Sequence, residues 1–394
     1  MIAERSATII TRIMIELNRI VATGRRPGTG SLSLVPVVAV LAASLAVICS
    51  CNPAVPSSSV IELGEVTAPG PEDLRQLLDD ELEATMQRRL NAEDHAAWQI
   101  LHGALAYHRE FFMEREPNGQ LVSAVDYLLD GGRLDGWTTE PGIVLGNQDD
   151  RRGLRVLVEP GTQTGQGHPD QWFAILAQCG LEPVDGVRTD DREYSMADLI
   201  EQVQWDVPRN LDREFSWTLI GLTSYLPTDA SWIAQDGDAW SIERLMEIEL
   251  EHELSMSACG GSHRLIGLSM ALNQHQAQQP TLDGVWQEAD DRIQTAIANA
   301  RRFQNPDGSF SSNYFERPGS SPDLAQDLGT TGHVLEFLTL ATTDEQIRAP
   351  WIERAVVHLC ELFRKTRQVP LECGALYHAA HGLVLYRQRV FDSH

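Results

Sequence analysis

A ring residue at the head of an apolar helix recurs through this chain at a nearly constant interval. Trp217 begins WTLIGL, His263 begins HRLIGL, His333 begins HVLEFL and His378 begins HAAHGL, each with Gly or Phe four positions on and Leu after it. Trp98 in WQILHGAL and Trp172 in WFAILAQ are weaker members. Trp172 and Trp217 lie 45 residues apart, Trp217 and His263 46, and His333 and His378 45. The longer steps, 74 residues from Trp98 to Trp172 and 70 from His263 to His333, each contain a loop insertion. A period in this range marks supersecondary units that cannot bury their apolar faces alone and so stack on one another.

More highly charged segments alternate with these stretches. DLRQLLDDELEATMQRRL, LVSAVDYLLD, MADLIEQVQWDV, WSIERLMEIELEHEL, VWQEADDRIQTAIANARRF and WIERAVVHLCELFRKTR place apolar residues at helical spacing with charges between them, as outer helices do. Asp94 is expected to cap the first inner helix. The segment from Gly131 to His168 holds one strand-like run, LRVLVEP, and a loop, GTQTGQGH, that lacks the Lys-Ser/Thr of a phosphate-binding loop. The expectation is an all-α fold over residues 72–394: six hairpins, twelve helices, closing as an (α/α)6 toroid with parallel inner helices. An open solenoid fits less well, because such arrays end in polar caps and the last helix here is apolar almost to its end.

Residues 1–51 read differently. Leu32 to Ile48 is a run of 17 residues without a charge, preceded by Arg25 and Arg26 and closed by Cys49-Ser50-Cys51. Basic flank, apolar run and small residues make an export signal. Ile48 to Cys51 resembles a bacterial lipobox, which implies lipidation at Cys51; the alternative is a single membrane anchor near the lower length limit for spanning. A Pro/Ser/Gly-rich tether over 52–71 follows. The expected location is the extracytoplasmic side of a bacterial membrane. The chain carries 31 basic and 56 acidic residues, a formal net charge of −25, which repels phosphate backbones and excludes nucleic acid as a partner.

Gln304 to Phe310 reads QNPDGSF directly after an outer helix. This resembles the Gln-x-x-Asp-Gly-Ser-aromatic repeat of the terpenoid cyclase and protein prenyltransferase superfamily, and the resemblance implies an α/α toroid in which the glutamine ties a helix end to the turn. It does not carry over that superfamily's chemistry. The nearest string to a cyclase acid motif, Glu288-Ala289-Asp290-Asp291, falls on an outer helix and reads as a solvated face, and no basic cluster for a diphosphate is present.

In such a toroid the residues opening the inner helices converge at one end of the central cavity: His168, Asp170, Glu214, Trp217, Cys259, His263, His333, Glu336, Cys373, Tyr377, His378 and His381. A zinc ion held by Cys259, Cys373 and one or two of His263, His333 and His378 suits thiolate and imidazole donors. A Cys259–Cys373 disulfide and two small buried thiols compete with it. Cys179 and Cys360 are expected in the core. A second enzymatic reading takes Asp170, Glu214 and Glu336 as acids, with Trp98, Trp172 and Trp217 as a platform for a glycan; His263, His333 and His378 are the other catalytic candidates. The ligand is then a small molecule, a glycan or a lipid. A non-catalytic binding module or scaffold is the third reading: a bore filled with side chains favours it, an open funnel favours an enzyme.

Overall fold

The computed structural model describes residues 70–146, 151–157, 167–189, 192–211, 213–279 and 281–392. The stretch read as an export signal, Cys51 and residues 52–69 of the expected tether fall outside them, and Pro71, expected in the tether, opens the first helix. No helix among the described residues is long and apolar enough to cross a membrane.

The described residues are 58% helical and 10% strand. Helix α1 (Pro71–Met86) and α2 (Ala97–Tyr107) are followed by strands β1 (Phe112–Glu114) and β2 (Leu121–Ser123) and helix α3 (Ala124–Leu129). Strands β3 (Thr138–Val144) and β4 (Arg152–Leu157) precede α4 (Gln171–Gln178). Then come β5 (Gly186–Arg188), β6 (Glu193–Ser195), α5 (Met196–Asp206) and α6 (Ser216–Thr223). Strands β7 (Ser231–Ile233) and β8 (Ala239–Ser241) lead into α7 (Ile242–Glu251) and α8 (Ser262–Gln278). The remainder is helical: α9 (Gly284–Phe303), α10 (Leu324–Ala341), α11 (Pro350–Thr366) and α12 (Cys373–Arg387).

Consecutive even-numbered helices are neighbours, α2 on α4, α4 on α6, α6 on α8, α8 on α10 and α10 on α12, and α12 also packs on α2. All the odd-numbered helices but α5 lie against them: α3 on α2, α7 on α6, α9 on α8, α11 on α10, and α1 on both α11 and α12, whereas α5 packs on β4. The periodic glycines explain how the inner backbones come so close. A Cβ on Gly267 of α8 would stand 2.9 Å from the Ser216 carbonyl oxygen, and one on Gly382 of α12 would stand 3.0 Å from the Glu336 backbone nitrogen. Every residue of α6 is buried, as expected for a helix enclosed on all sides.

The expectation of a purely helical chain needs correction. Four two-stranded antiparallel sheets are present, β1–β2, β3–β4, β5–β6 and β7–β8. Leu121–Ser123 and Trp240-Ser241, expected in outer helices, are strand residues. The reason is a repeated device. Ser123, Ser195 and Ser241 each end a strand and cap the next outer helix, with the side-chain oxygen accepting from the backbone N–H three residues on (Asp126 at 3.4 Å, Asp198 at 3.3 Å, Arg244 at 3.1 Å). A serine in extended conformation satisfies an orphan helix donor only if the residues before it stay out of the helix. Asp94 caps nothing: the N-cap of α2 is Ala96, whose N–H donates to Gln99 Oε1 at 3.0 Å, while Asp94 accepts from Asn91. At QNPDGSF, Gln304 Nε2 donates to the carbonyls of Gly308 (2.9 Å) and Trp351 (2.8 Å), so the glutamine joins the end of α9 to the turn and to α11.

Candidate functional site

The turn before α8 is strained. Cys259, Gly260 and Gly261 have φ of 49°, 61° and 81° in succession, and a non-glycine residue in that region is uncommon. Gly260 has no room for a side chain, since a Cβ there would stand 2.2 Å from the Tyr314 ring. The turn leaves Cys259 half-buried at the head of α8, with His263 one helical turn inward. His333 projects from α10. The ligand-capable atoms of Cys259, His263 and His333 all lie within 4.8 Å of one another. Those of His168, Glu214 and His263 form a second such group on the same criterion.

Most of the histidines in this region use Nδ1 as an anchor. Nδ1 of His333 donates to the Gly329 carbonyl at 2.6 Å and Nδ1 of His102 to the Trp98 carbonyl at 2.6 Å, in each case four residues back on the same helix. His378 and His381 each donate through Nδ1 to one oxygen of Glu336, both at 2.7 Å. His168 bonds Glu214 through Nδ1. A ring held this way carries its lone pair on Nε2, the arrangement usual for a metal-binding imidazole. His263 differs: among the described residues neither of its ring nitrogens has a hydrogen-bond partner, and Nε2 of His333 has none either, though all three atoms are buried. The His263 ring packs against those of His168 (centroids 4.8 Å apart), His333 (5.2 Å) and His378 (5.2 Å), and His333 lies 4.1 Å from His378.

The electrostatics follow from this enclosure. Burial lowers His263 far below its ordinary value, His102 to about 4 and His378 to about 3, so these rings are neutral, the form that binds metal. Burial also pushes His333 down, but its interactions with Cys259, Glu336 and the Gly329 carbonyl outweigh this and raise it to about 9. For Glu336, burial favours the protonated form, yet the donors of His378 and His381 hold it well below the usual carboxylate range.

The structure brings together only part of the set expected from sequence. Cys373 belongs to neither ligand group. Cys259 and Cys373 are both free thiols, so the expected disulfide is not formed. Helix α10 stands between α8 and α12 in the packing order, and the Cys373 sulfur sits instead 3.9 Å from Gln99 Nε2 of α2, where burial raises its pKa to about 11. His378 packs on the cluster but lies outside both ligand groups, its Nδ1 committed to Glu336. His333 does not open its helix, because α10 begins at Leu324. Cys179 and Cys360 are core residues. Trp172 and Trp217 are buried and offer no open face for a glycan. The double use of Glu336 by His378 and His381 was missed; its signal was the spacing of three in HAAH, which puts two rings on one helix face.

Asp170 stands apart, in a left-handed conformation (φ 58°), accepting from Thr218 Oγ1 at 2.5 Å and Asn210 Nδ2 at 2.8 Å. Burial raises its pKa from 3.8 to about 6. The raised value means that its contribution to stability is full below pH 3.8 and is lost as the pH rises through 6. Asp170→Asn keeps an acceptor, tolerates the backbone conformation and cannot ionise. The variant is expected to be more stable than the parent by about 2–3 kcal/mol at about pH 8, and equal to it near pH 4. Denaturant titrations at the two pH values check this, and a pH-independent difference would refute it.

No family model, no curated protein and no solved structure matches this chain.

Proposed function

We propose that the six hairpins form an (α/α)6 toroid whose bore holds a catalytic metal, zinc by donor chemistry, on Cys259, His263 and His333. The toroid is supported by the unbroken order of contacts from α2 through α12 and back to α2. The metal is supported by one observation above the others: three donor atoms within 4.8 Å, of which the two imidazoles leave buried nitrogens without a partner. Orphaned buried polar atoms are rare in native proteins, and an ion would satisfy these. They also weigh against a bore that is merely packed scaffold. One thiolate and two imidazoles suit zinc, and three protein ligands leave a fourth position for water or substrate.

A bound zinc supplies Lewis acidity, which polarises a carbonyl or acidifies a water. The chain's own residues do the rest. Gly329 fixes the tautomer of His333, so that Nε2 faces the site. Glu336 fixes that of His378, whose ring packs beside the cluster and is kept neutral by burial. The reading is metal-assisted hydrolysis or addition on a small molecule. Asp170, Glu214 and Glu336 are bonded to separate partners, which does not favour the paired carboxylates of a glycosidase. We carry forward, as part of this proposal, export through residues 1–51 and a lipid anchor at Cys51, supported by the arginine pair and the uncharged run.

A second reading has its own support. Cys259 lies in a strained turn and contributes to raising His333 to about 9, as in a thiolate–imidazolium pair that attacks an electrophile directly. Cobalt substitution separates the two. The metal reading expects an intense sulfur-to-cobalt charge-transfer band, absent in Cys259→Ser, with zinc content falling by about one equivalent in that variant. Metal-free protein whose Cys259 is rapidly alkylated at neutral pH would overturn the metal reading and leave the nucleophile.

A further inference from the structure

We infer that the bore holds two ions, with His263 as the ligand they share: one on Cys259 and His333, the other on His168 and Glu214. This rests on the metal reading above and extends it. His263 is about 2% exposed and has two unpartnered nitrogens. An ion on the cysteine side satisfies only one of them. The second group that meets the same distance criterion, His168, Glu214 and His263, contains the same ring.

The outer pair is prepared for a cation. Glu214 is buried and bonded to His168, and Arg264 is the next residue of α8 beyond His263. Its Oε1 takes the His168 bond, while Oε2 has Ser216 Oγ at 3.3 Å, whose proton is directed to Glu249 Oε2 at 2.7 Å. His168 keeps Nε2 for a ligand. The side chain of His168 is 21% exposed and that of Glu214 10%, so an ion reaches this pair from solvent. The two donor sets differ in softness. Sulfur and two nitrogens hold zinc tightly, whereas two nitrogens and a carboxylate oxygen also accept harder divalent ions and exchange more readily. For His263 to serve both, its remaining N–H proton leaves to solvent and the ring binds as imidazolate, one nitrogen to each ion.

The test is metal stoichiometry on the full chain with zinc and then cobalt as the probe. Wild type is expected to bind about two equivalents, one removed by a mild chelator before the other. His168→Asn and Glu214→Gln are each expected to retain about one equivalent with the sulfur-to-cobalt band intact, while Cys259→Ser retains one without it. The dicobalt protein is expected to show magnetic coupling through the bridge that His168→Asn abolishes. His168 is partly exposed, so that variant is expected to fold, and its thermal melt verifies this. A single equivalent that follows Cys259 and ignores His168 would overturn the shared centre and leave the proposed function standing. A single equivalent that follows His168 and ignores Cys259 would overturn both, as would the absence of any bound metal.

Discussion

Arg264→Met is expected to destabilise the protein by about 3–5 kcal/mol at neutral pH, the cost of leaving one partner of a buried ion pair alone. Arg264 Nη1 donates to Glu249 Oε1 at 2.6 Å, and the two side chains are 6% and 0% exposed. Glu249 also accepts from the Phe215 N–H and the Ser216 hydroxyl, both at 2.7 Å, which ties α7 to the start of α6. Burial already raises the pKa of Glu249 above 4.5 with the arginine in place. Removing the opposing charge raises it further. A raised folded-state value favours stability below the unfolded pKa and loses it as pH rises, so the deficit of the variant is expected to grow with pH and to shrink toward pH 4.5. Equilibrium unfolding at about pH 8 and about pH 5 measures it, and a deficit equal at both, or below about 1 kcal/mol, would show that the pair contributes little.

Glu336→Gln is expected to cost about 3 kcal/mol by a different route. The two carboxylate oxygens accept one imidazole N–H each, from His378 and His381. Glutamine offers one acceptor and one donor, so one ring must lose its partner or switch tautomer. The folded-state pKa of Glu336 is depressed, so its stabilisation is present above the unfolded value near 4.5 and disappears only as pH falls well below it. The deficit should therefore persist at about pH 5, where that of Arg264→Met is already relieved. Two-dimensional NMR of the imidazole nitrogens would report the tautomers directly; unchanged Nδ1–H resonances for both rings in Glu336→Gln would contradict this account.

The inner helices were legible because their signal is periodic. Glycine at a fixed offset from the ring residue records a close approach of backbones, and that constraint is written into composition as much as into shape. The β-hairpins other than β3–β4, whose run LRVLVEP already reads as strand, were not legible, because strands of three residues such as Glu193–Ser195 are too short to show alternation, and a serine that caps a helix reads the same with or without a strand before it. The candidate site was legible in its residue types and partly in its grouping. Cys259, His263 and His333 could be paired from sequence, but Cys373 was added to them because convergence at a helix head was taken as proximity. Which neighbours a helix has in a cycle decides which heads meet, and the interval between repeats does not say that α8 and α12 are kept apart by α10.

The contact of α12 with α2 joins segments about 270 residues apart in the chain, as the pair Gln99 and Cys373 illustrates with a separation of 274. An array of stacked hairpins grows by adding units to an edge, but here the final unit must fit two edges at once. Until α12 has been made, α2 and α10 each present an apolar flank with nothing on it, and the growing chain depends on other proteins or on speed to avoid sticking to its neighbours. The same helix delivers His378 and His381, so the two imidazoles that share Glu336 meet it only once α12 has packed on α10.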